Sequence, residues 1–290
     1  MPTPLSPGTL YLVSTPIGNL EDITYRAVRI LKAVDLIAAE DTRQTLKLCN
    51  HYDISTRRLS LHEHNETQRT PTLLQKLARG DTIAVVSDAG TPLVSDPGGK
   101  LTAEALAAGY RVEAIPGPSA VLAALTSSGF STEKGFCFVG FPPARSNHRK
   151  EFFLDLIDEP RPVIMFESPH RIIGCMTDLI EVFVSRRIAL CKELTKIHAK
   201  LVIRPINEFK EFITENKIKG EITLVIEGQS TRKVDKNHVQ AANVLDEFGH
   251  LTESGLSRRA AIRALATRYR CSSREIYRRI ETGKSKDFVD

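Results

Sequence analysis

The sequence predicts an α/β protein of two domains followed by a small all-α module, and three features predict it. Short apolar β-type runs alternate with helical patterns across residues 1–230, the signature of sheets built with crossover connections. Ser127-Ser128-Gly129 breaks that stretch, and the polar run Gly228-Gln229-Ser230-Thr231 ends it. Beyond the second break no strand pattern recurs, so the expected units are 1–128, 129–230 and 231–290.

In the first unit, strands are expected at 10–14, 35–39, 82–87 and 111–115. Apolar residues at helical spacing fall between them at 25–33, 72–79 and 98–108, the last closed by Gly109 as a C-cap. The second unit offers strands at 136–139, 162–166, 188–192, 201–204 and 222–226, with helices at 146–157 and 206–215. In the third, one amphipathic segment holds Leu256, Ile262 and Leu265 and the next holds Ile276 and Ile280. Ser272 and Ser273 sit where the second segment needs an N-cap, and 239–248 supplies a first helix. Two short helices joined by a tight turn read as helix-turn-helix-like. Arg270, Arg274 and Arg278 recur every four residues and so share a face suited to phosphates.

The charge is unevenly spread. Residues 232–290 carry 13 Lys and Arg against 8 Asp and Glu, which leaves 27 against 27 for residues 1–231. The whole net charge of +5 is therefore C-terminal, which favours a polyanionic partner for the module and a neutral scaffold for the body. A merely solvated helical face is the competing reading. Cys49, Cys137, Cys175, Cys191 and Cys271 are odd in number and contain no CxxC pair, so a reducing compartment is expected, with no disulfide framework. The opening MPTPLSPG has no basic stretch leading into an apolar core, and no apolar run approaches the roughly 20 residues a bilayer demands. A soluble, cytoplasmic protein with no membrane partner is expected.

No G-x-G-x-x-G follows the first strand and no G-x-x-x-x-G-K-[ST] occurs, so dinucleotide and triphosphate cradles are unsupported. Instead, Pro/Gly turns stand at the carboxyl ends of expected strands: STPIGN at 14–19, SDAGTP at 87–92 and PGPSA at 116–120. Open α/β sheets bind ligands at that edge. Glycines admit close backbone approach and prolines stiffen a loop, so a ligand held largely by main chain fits. Each turn taken alone is also an ordinary strand-to-helix connection.

TPIGNLEDIT at 15–24, EDTR at 40–43, HEHN at 62–65, SDAGTPLVSDPG at 87–98, PGPSA at 116–120, ESPHR at 167–171 and KELTK at 192–196 together carry a resemblance. In order and spacing they are similar to the tetrapyrrole methylase-like, or class III, S-adenosylmethionine (SAM)-dependent methyltransferases, in the branch that modifies small-subunit ribosomal RNA. The resemblance spans about residues 9–228. It implies two α/β domains with SAM in the cleft between them, a homodimer, and 2′-O-methylation of a cytidine ribose in the decoding region of 16S ribosomal RNA. The partner it implies is that RNA or the small ribosomal subunit.

By that resemblance Pro16, Ala89, Gly90, Thr91, Val94, Ser119 and Ala120 match positions that contact SAM, and Glu167 is carried over with them. One departure follows KELTK: the family has an acidic residue three places on, where this chain has Ala199. Methylating a weakly nucleophilic hydroxyl benefits from a general base, and Asp88, Glu167 and Glu193 are the catalytic candidates. Glu40, Asp41 and His170 border the same region, while an Asp41–Arg43 pair fixing a turn and Asp96 capping the next helix are structural readings. Arg43, His62, His64, Arg171, Lys192 and Lys196, with Arg270, Arg274 and Arg278, are candidates for holding RNA. His62 and His64 lack a third ligand of suitable spacing, so no metal is expected. A class III methylase acting on a small molecule, and a nucleic-acid-binding regulator with an inactive methylase body, are the alternatives.

Overall fold

A computed structural model describes residues 5–183, 186–209, 211–212, 220–229, 241–253, 256–269 and 271–284. Strands β1 (Thr9–Val13), β2 (Leu36–Ala39), β3 (Arg58–Ser60), β4 (Ile83–Val86) and β5 (Arg111–Ile115) form a parallel sheet ordered β3-β2-β4-β1-β5. Helices α1 (Tyr25–Ala33), α2 (Thr42–His51), α3 (Glu66–Ala78) and α4 (Gly99–Ala107) make its crossovers. Successive strand residues point to opposite faces, so each face has its own core. Val13, Ile30, Ile37 and Val86 pack on one side, and Leu10, Leu73, Ile83 and Leu101 on the other. The chain leaves β1 toward β2 and leaves β4 toward β5, in opposite directions across the sheet. Such divergence opens a crevice at the carboxyl edge.

A second sheet, ordered β6-β7-β10-β8-β9, comprises β6 (Cys137–Phe138), β7 (Val163–Glu167), β8 (Arg187–Lys192), β9 (Lys200–Pro205) and β10 (Ile222–Ile226). Only β6 and β7 run parallel. Helices α6 (Ser146–Asp155) and α7 (Ile172–Val182) cover one face over Phe153, Met165, Leu179 and Leu224. The other face is covered by α5 (Ala120–Ser128), through Val121, Ala124 and Leu125 on Ile164, Ala189 and Val225. This helix leaves the first sheet and packs on the second, so the break expected at 128–129 follows an element shared by both.

The C-terminal helices α8 (Ala241–Glu253), α9 (Arg258–Arg268) and α10 (Ser273–Lys284) enclose a separate core of Val244, Leu265, Ile276 and Ile280. Ser272 caps α10, its hydroxyl accepting from the Glu275 N–H at 3.1 Å. Arg263 Nη2 lies 2.5 Å from Asp155 Oδ1 and ties α9 to α6.

The α/β class with trailing helices is the one the sequence predicts, with β3, α2, α5, α7 and a 3-10 turn at Leu20–Asp22 added. The apolar spacing at 72–79 belongs to a helix that begins at Glu66, after Asn65, where the sequence also reads as a helix start, and it carries Pro71 in its second turn at the loss of one intrahelical bond. The helix expected at 206–215 opens as a 3-10 turn, Ile206–Glu208, and is helical at Phe209, Glu211 and Phe212, while 210 and 213–215 lie outside the described residues. Residues 230–240, including the second half of the expected linker and the start of the first module helix, also lie outside them. The five cysteines are free thiols. Among the described residues no helix is long and apolar enough to cross a membrane.

Candidate active site

All five parallel strands end at one edge of the first sheet. STPIGN follows β1, EDTR follows β2, HEHN follows β3, SDAGTPLVSDPG follows β4 and PGPSA follows β5. Motifs scattered over more than a hundred residues thus become neighbours, and hydrogen bonds stitch them together. Thr15 and Gly90 exchange backbone bonds at 2.8 and 3.0 Å, and the Thr15 hydroxyl donates to the Ser87 carbonyl at 3.1 Å. The Ser14 hydroxyl donates to Thr91 Oγ1 at 3.1 Å, and that hydroxyl donates to the Pro118 carbonyl at 3.2 Å. Asp41 N–H donates to Asp88 Oδ1 at 3.0 Å, while Asp88 N–H donates to Glu40 Oε2 at 3.2 Å.

Glycine is required at two of these turns. Gly90 has φ 85°, and a Cβ on Gly117 would stand 2.9 Å from Ser14 Cβ. Within the β4 loop Leu93 and Ser95 have φ 72° and 67°, and in KELTK Glu193 and Thr195 have φ 52° and 66°. Left-handed backbone at non-glycine residues gathers where surrounding structure holds it for a function, and among the described residues, apart from Asp53 after α2, it marks one loop beside each sheet. The two loops meet across the cleft. Val94 and Leu194 pack on the same apolar cluster with Phe138 and Phe166, and a Cβ on Gly18 would stand 2.5 Å from Lys196 Cγ.

The electrostatics at this edge are acidic. Burial pushes the carboxyls of Glu40 and Asp96 up, Asp96 to about 6, with repulsion from Glu40 and Asp88 adding to it. Asp88 has an exposed outer edge, yet the protein around it still raises its carboxyl. Asp41 is held down to about 2 by the Arg43 guanidinium, bonded to it at 2.7 Å, and by the Arg43 N–H.

Of the expected SAM-contacting residues, Pro16, Ala89, Gly90, Thr91, Val94, Ser119 and Ala120 all lie at this edge or on the loop crossing it. Ser119 also caps α5. Glu167 does not join them. It ends β7 with its side chain 0% exposed, its Oε1 accepting from Ser168 N–H at 2.7 Å and lying 3.2 Å from Arg171 Nε. Its other oxygen is buried without a hydrogen-bond partner, and burial followed by the Glu167 charge pushes up the neighbouring Cys175 thiol. Glu167 is therefore a brace beneath the ESPHR turn, with no carboxylate oxygen presented to the cleft. Glu193 is likewise engaged. Its carboxylate accepts from Lys196 Nζ at 2.9 Å and Glu221 N–H at 3.1 Å, and the Lys196 bond lowers its affinity for a proton.

The RNA-holding candidates divide in the same way. Arg43 is exposed at the carboxyl edge with its guanidinium paired to Asp41 at 2.7 Å, the turn-fixing pair expected there; His64 is exposed at the same edge, and Lys192 is half-buried at the end of β8. Arg171 donates to the Pro142 carbonyl, Lys196 is shared by Glu193 and Glu221, and His62 folds back on Asn65 at 3.1 Å. Those three chiefly hold their own loops. Arg274 and Arg278 lie exposed on α10, and Arg270 lies outside the described residues. Among the described residues no group of three or more His, Cys, Asp or Glu is placed to hold a metal. Asp96, expected as a helix cap, does not cap α4: Gly98 occupies that position without a side-chain bond, and the Asp96 carboxyl stands beside the Ser87 hydroxyl.

The family model described as Tetrapyrrole (Corrin/Porphyrin) Methylases matches residues 9–210. The chain belongs to the tetrapyrrole methylase family. Within it, proteins named Ribosomal RNA small subunit methyltransferase I are similar over most of their length. That of Halalkalibacterium halodurans is 41% identical over 272 residues, 93% of each chain. That of Synechocystis sp. is 44% identical over 93% of this chain and 96% of its own. That of Escherichia coli O157:H7 is 46% identical over 79% of this chain and 81% of its own. Among solved structures, uroporphyrin-III C-methyl transferase from Thermus thermophilus, complexed with S-adenosyl homocysteine, shares the family fold. Its TM-score is 0.56 at 17% identity, covering 76% of this chain and 97% of its own.

Proposed function

We propose that this methylase transfers the methyl group of SAM to the ribose 2′-hydroxyl of a cytidine in the decoding region of 16S ribosomal RNA, acting in the cytoplasm as a homodimer. The observation that carries the reading is the gathering of five motif loops on one sheet edge, in a chain 41% identical over 93% of its length to a protein named for small-subunit ribosomal RNA. The residues present fit SAM. A left-handed Gly90, the small side chains of Ala89 and Ala120, and loops fixed to one another through Thr15–Gly90 and Ser14–Thr91–Pro118 make a preformed edge on which an adenosine and an amino acid can lie without reordering the chain. Pro16, Ala89, Gly90, Thr91, Val94, Ser119 and Ala120 would hold it. When bound, SAM supplies an electrophilic methyl group on a sulfonium.

The chain's own task is to seat the ribose and take up the hydroxyl proton. Asp88 and Asp96 are the proton acceptors: burial raises both carboxyls, Asp96 to about 6, whereas Glu193 is held down by Lys196 and Glu167 is enclosed against Arg171. Arg43, His64 and Lys192 hold RNA phosphates at the cleft, and Arg274 and Arg278 extend that contact on the module. Transfer of labelled methyl from SAM to small ribosomal subunits from cells lacking this enzyme tests the reading. Label on a ribose 2′-oxygen is the expected result; label only in a small molecule, or none in RNA, would overturn it. Sedimentation of the purified chain at twice its mass of 32.2 kDa is expected for the dimer.

A further inference from the structure

Phe141 lies in the loop between β6 and α6, outside every motif noted above, and is 53% exposed. A single exposed aromatic needs no explanation on most surfaces. This one sits on a loop whose position is fixed from several sides. Arg171 donates to the Pro142 carbonyl, and Arg149 Nη1 donates to the carbonyls of Pro143 at 3.3 Å and Ala144 at 2.9 Å. Arg149 is itself 5% exposed and bonded to Asp178 at 2.8 Å, so a buried ion pair anchors an exposed ring. Gly140, with φ 66°, presses on the β4 loop: a Cβ there would stand 3.3 Å from Ser95 Oγ. Below Phe141, the Phe166 ring lies 5.6 Å away and continues to Phe138 at 5.0 Å.

We infer that Phe141 is a stacking platform for an unstacked base of the substrate RNA, placed at the mouth of the cleft beside the SAM-binding loop. The inference rests on the RNA methylation reading. A ribose inside a stacked helix cannot reach an enclosed methyl donor, so its nucleotide must be splayed out, and splayed bases are held on aromatic faces. Phe141 offers such a face, with the exposed Arg145 four residues on and the exposed His170 next to Arg171, which bonds the Pro142 carbonyl, to draw in the backbone. Stacking reads no hydrogen-bond pattern, so the platform positions the nucleotide without choosing its identity.

The chain contains no tryptophan, so F141W carries a single fluorophore at the platform. With S-adenosylhomocysteine saturating, adding small-subunit ribosomal RNA should quench that fluorescence as a base stacks on the indole. F141A should raise KM for RNA about tenfold or more, leave the affinity for SAM unchanged, and be rescued to within about threefold by F141W. An unquenched indole, or an F141A variant with wild-type KM for RNA, would overturn the platform. Quenching is read without turnover, so a wild-type protein that labels no RNA sinks the activity reading separately.

Discussion

Asp96 shows how a single residue is set by neighbours it does not adjoin in sequence. Its carboxyl titrates near 6 in the fold and near 4 in an unfolded chain, so the folded state holds the proton more tightly. Stability contributed by the protonated form is present below about 4 and is lost as pH rises through 6. Asp96→Asn should therefore unfold at higher urea than wild type at pH 7, by about 1 kcal/mol once solvent screening is allowed for, and match it at pH 4. If the Asp88 and Asp96 pair accepts the hydroxyl proton, wild-type methyl transfer falls on the acid side with a midpoint near 6. Asp96→Asn then loses about 10²-fold in kcat. Asp178 is the opposite case. With Arg149 at 2.5 Å and both side chains nearly enclosed, Asp178→Ala strands a buried guanidinium and should cost about 3–5 kcal/mol, seen as a large fall in Tm.

At the scale of elements, what can be read in the sequence follows the strength of each local pattern. Strands β1, β5 and β10 and helix α1 are bounded within a residue, because an apolar run between turn residues, or a 3.6-residue period, states itself locally. Strand β3 is three residues long and has no period to show. Helices α5 and α7 are nearly apolar throughout, since both bury against the second sheet, and α7 carries β-branched Ile172, Ile173 and Ile180. Helix α2 starts inside EDTR, where a motif of charged residues hides its Asp41 cap. The turns that were legible are also the tightest. Gly117→Ala would press a Cβ into Ser14 and loosen the Ser14–Thr91–Pro118 chain. Affinity for SAM, measured by calorimetry, should fall about tenfold, with only a small change in Tm.

Over the whole molecule, charge and packing separate the body from its tail. The α/β body has its own cores on both sheets and the module encloses another, and Asp155 on α6 pairs with Arg259 and Arg263 on the module. Removing residues 232–290 takes away the entire excess of positive charge. The truncated chain should bind SAM as wild type does, while the slope of log K for RNA against log salt becomes markedly shallower. An unchanged slope would place the phosphate contacts on the body.

The sequence by itself determined that the turns at 14–19, 87–92 and 116–120 share an edge, while HEHN joins them only in the fold, after the short strand β3. Parallel strands joined by right-handed crossovers must all point their carboxyl ends the same way, so turns read after each strand are bound to converge. Only the tertiary structure decided what the side chains there can do. Glu167 and Asp96 are both carboxylates in turn-rich motifs, yet one is sealed against Arg171 and the other is left half-buried among like charges. Their difference comes from burial and from partners brought near by the fold, and neither is written in the residues on either side of them.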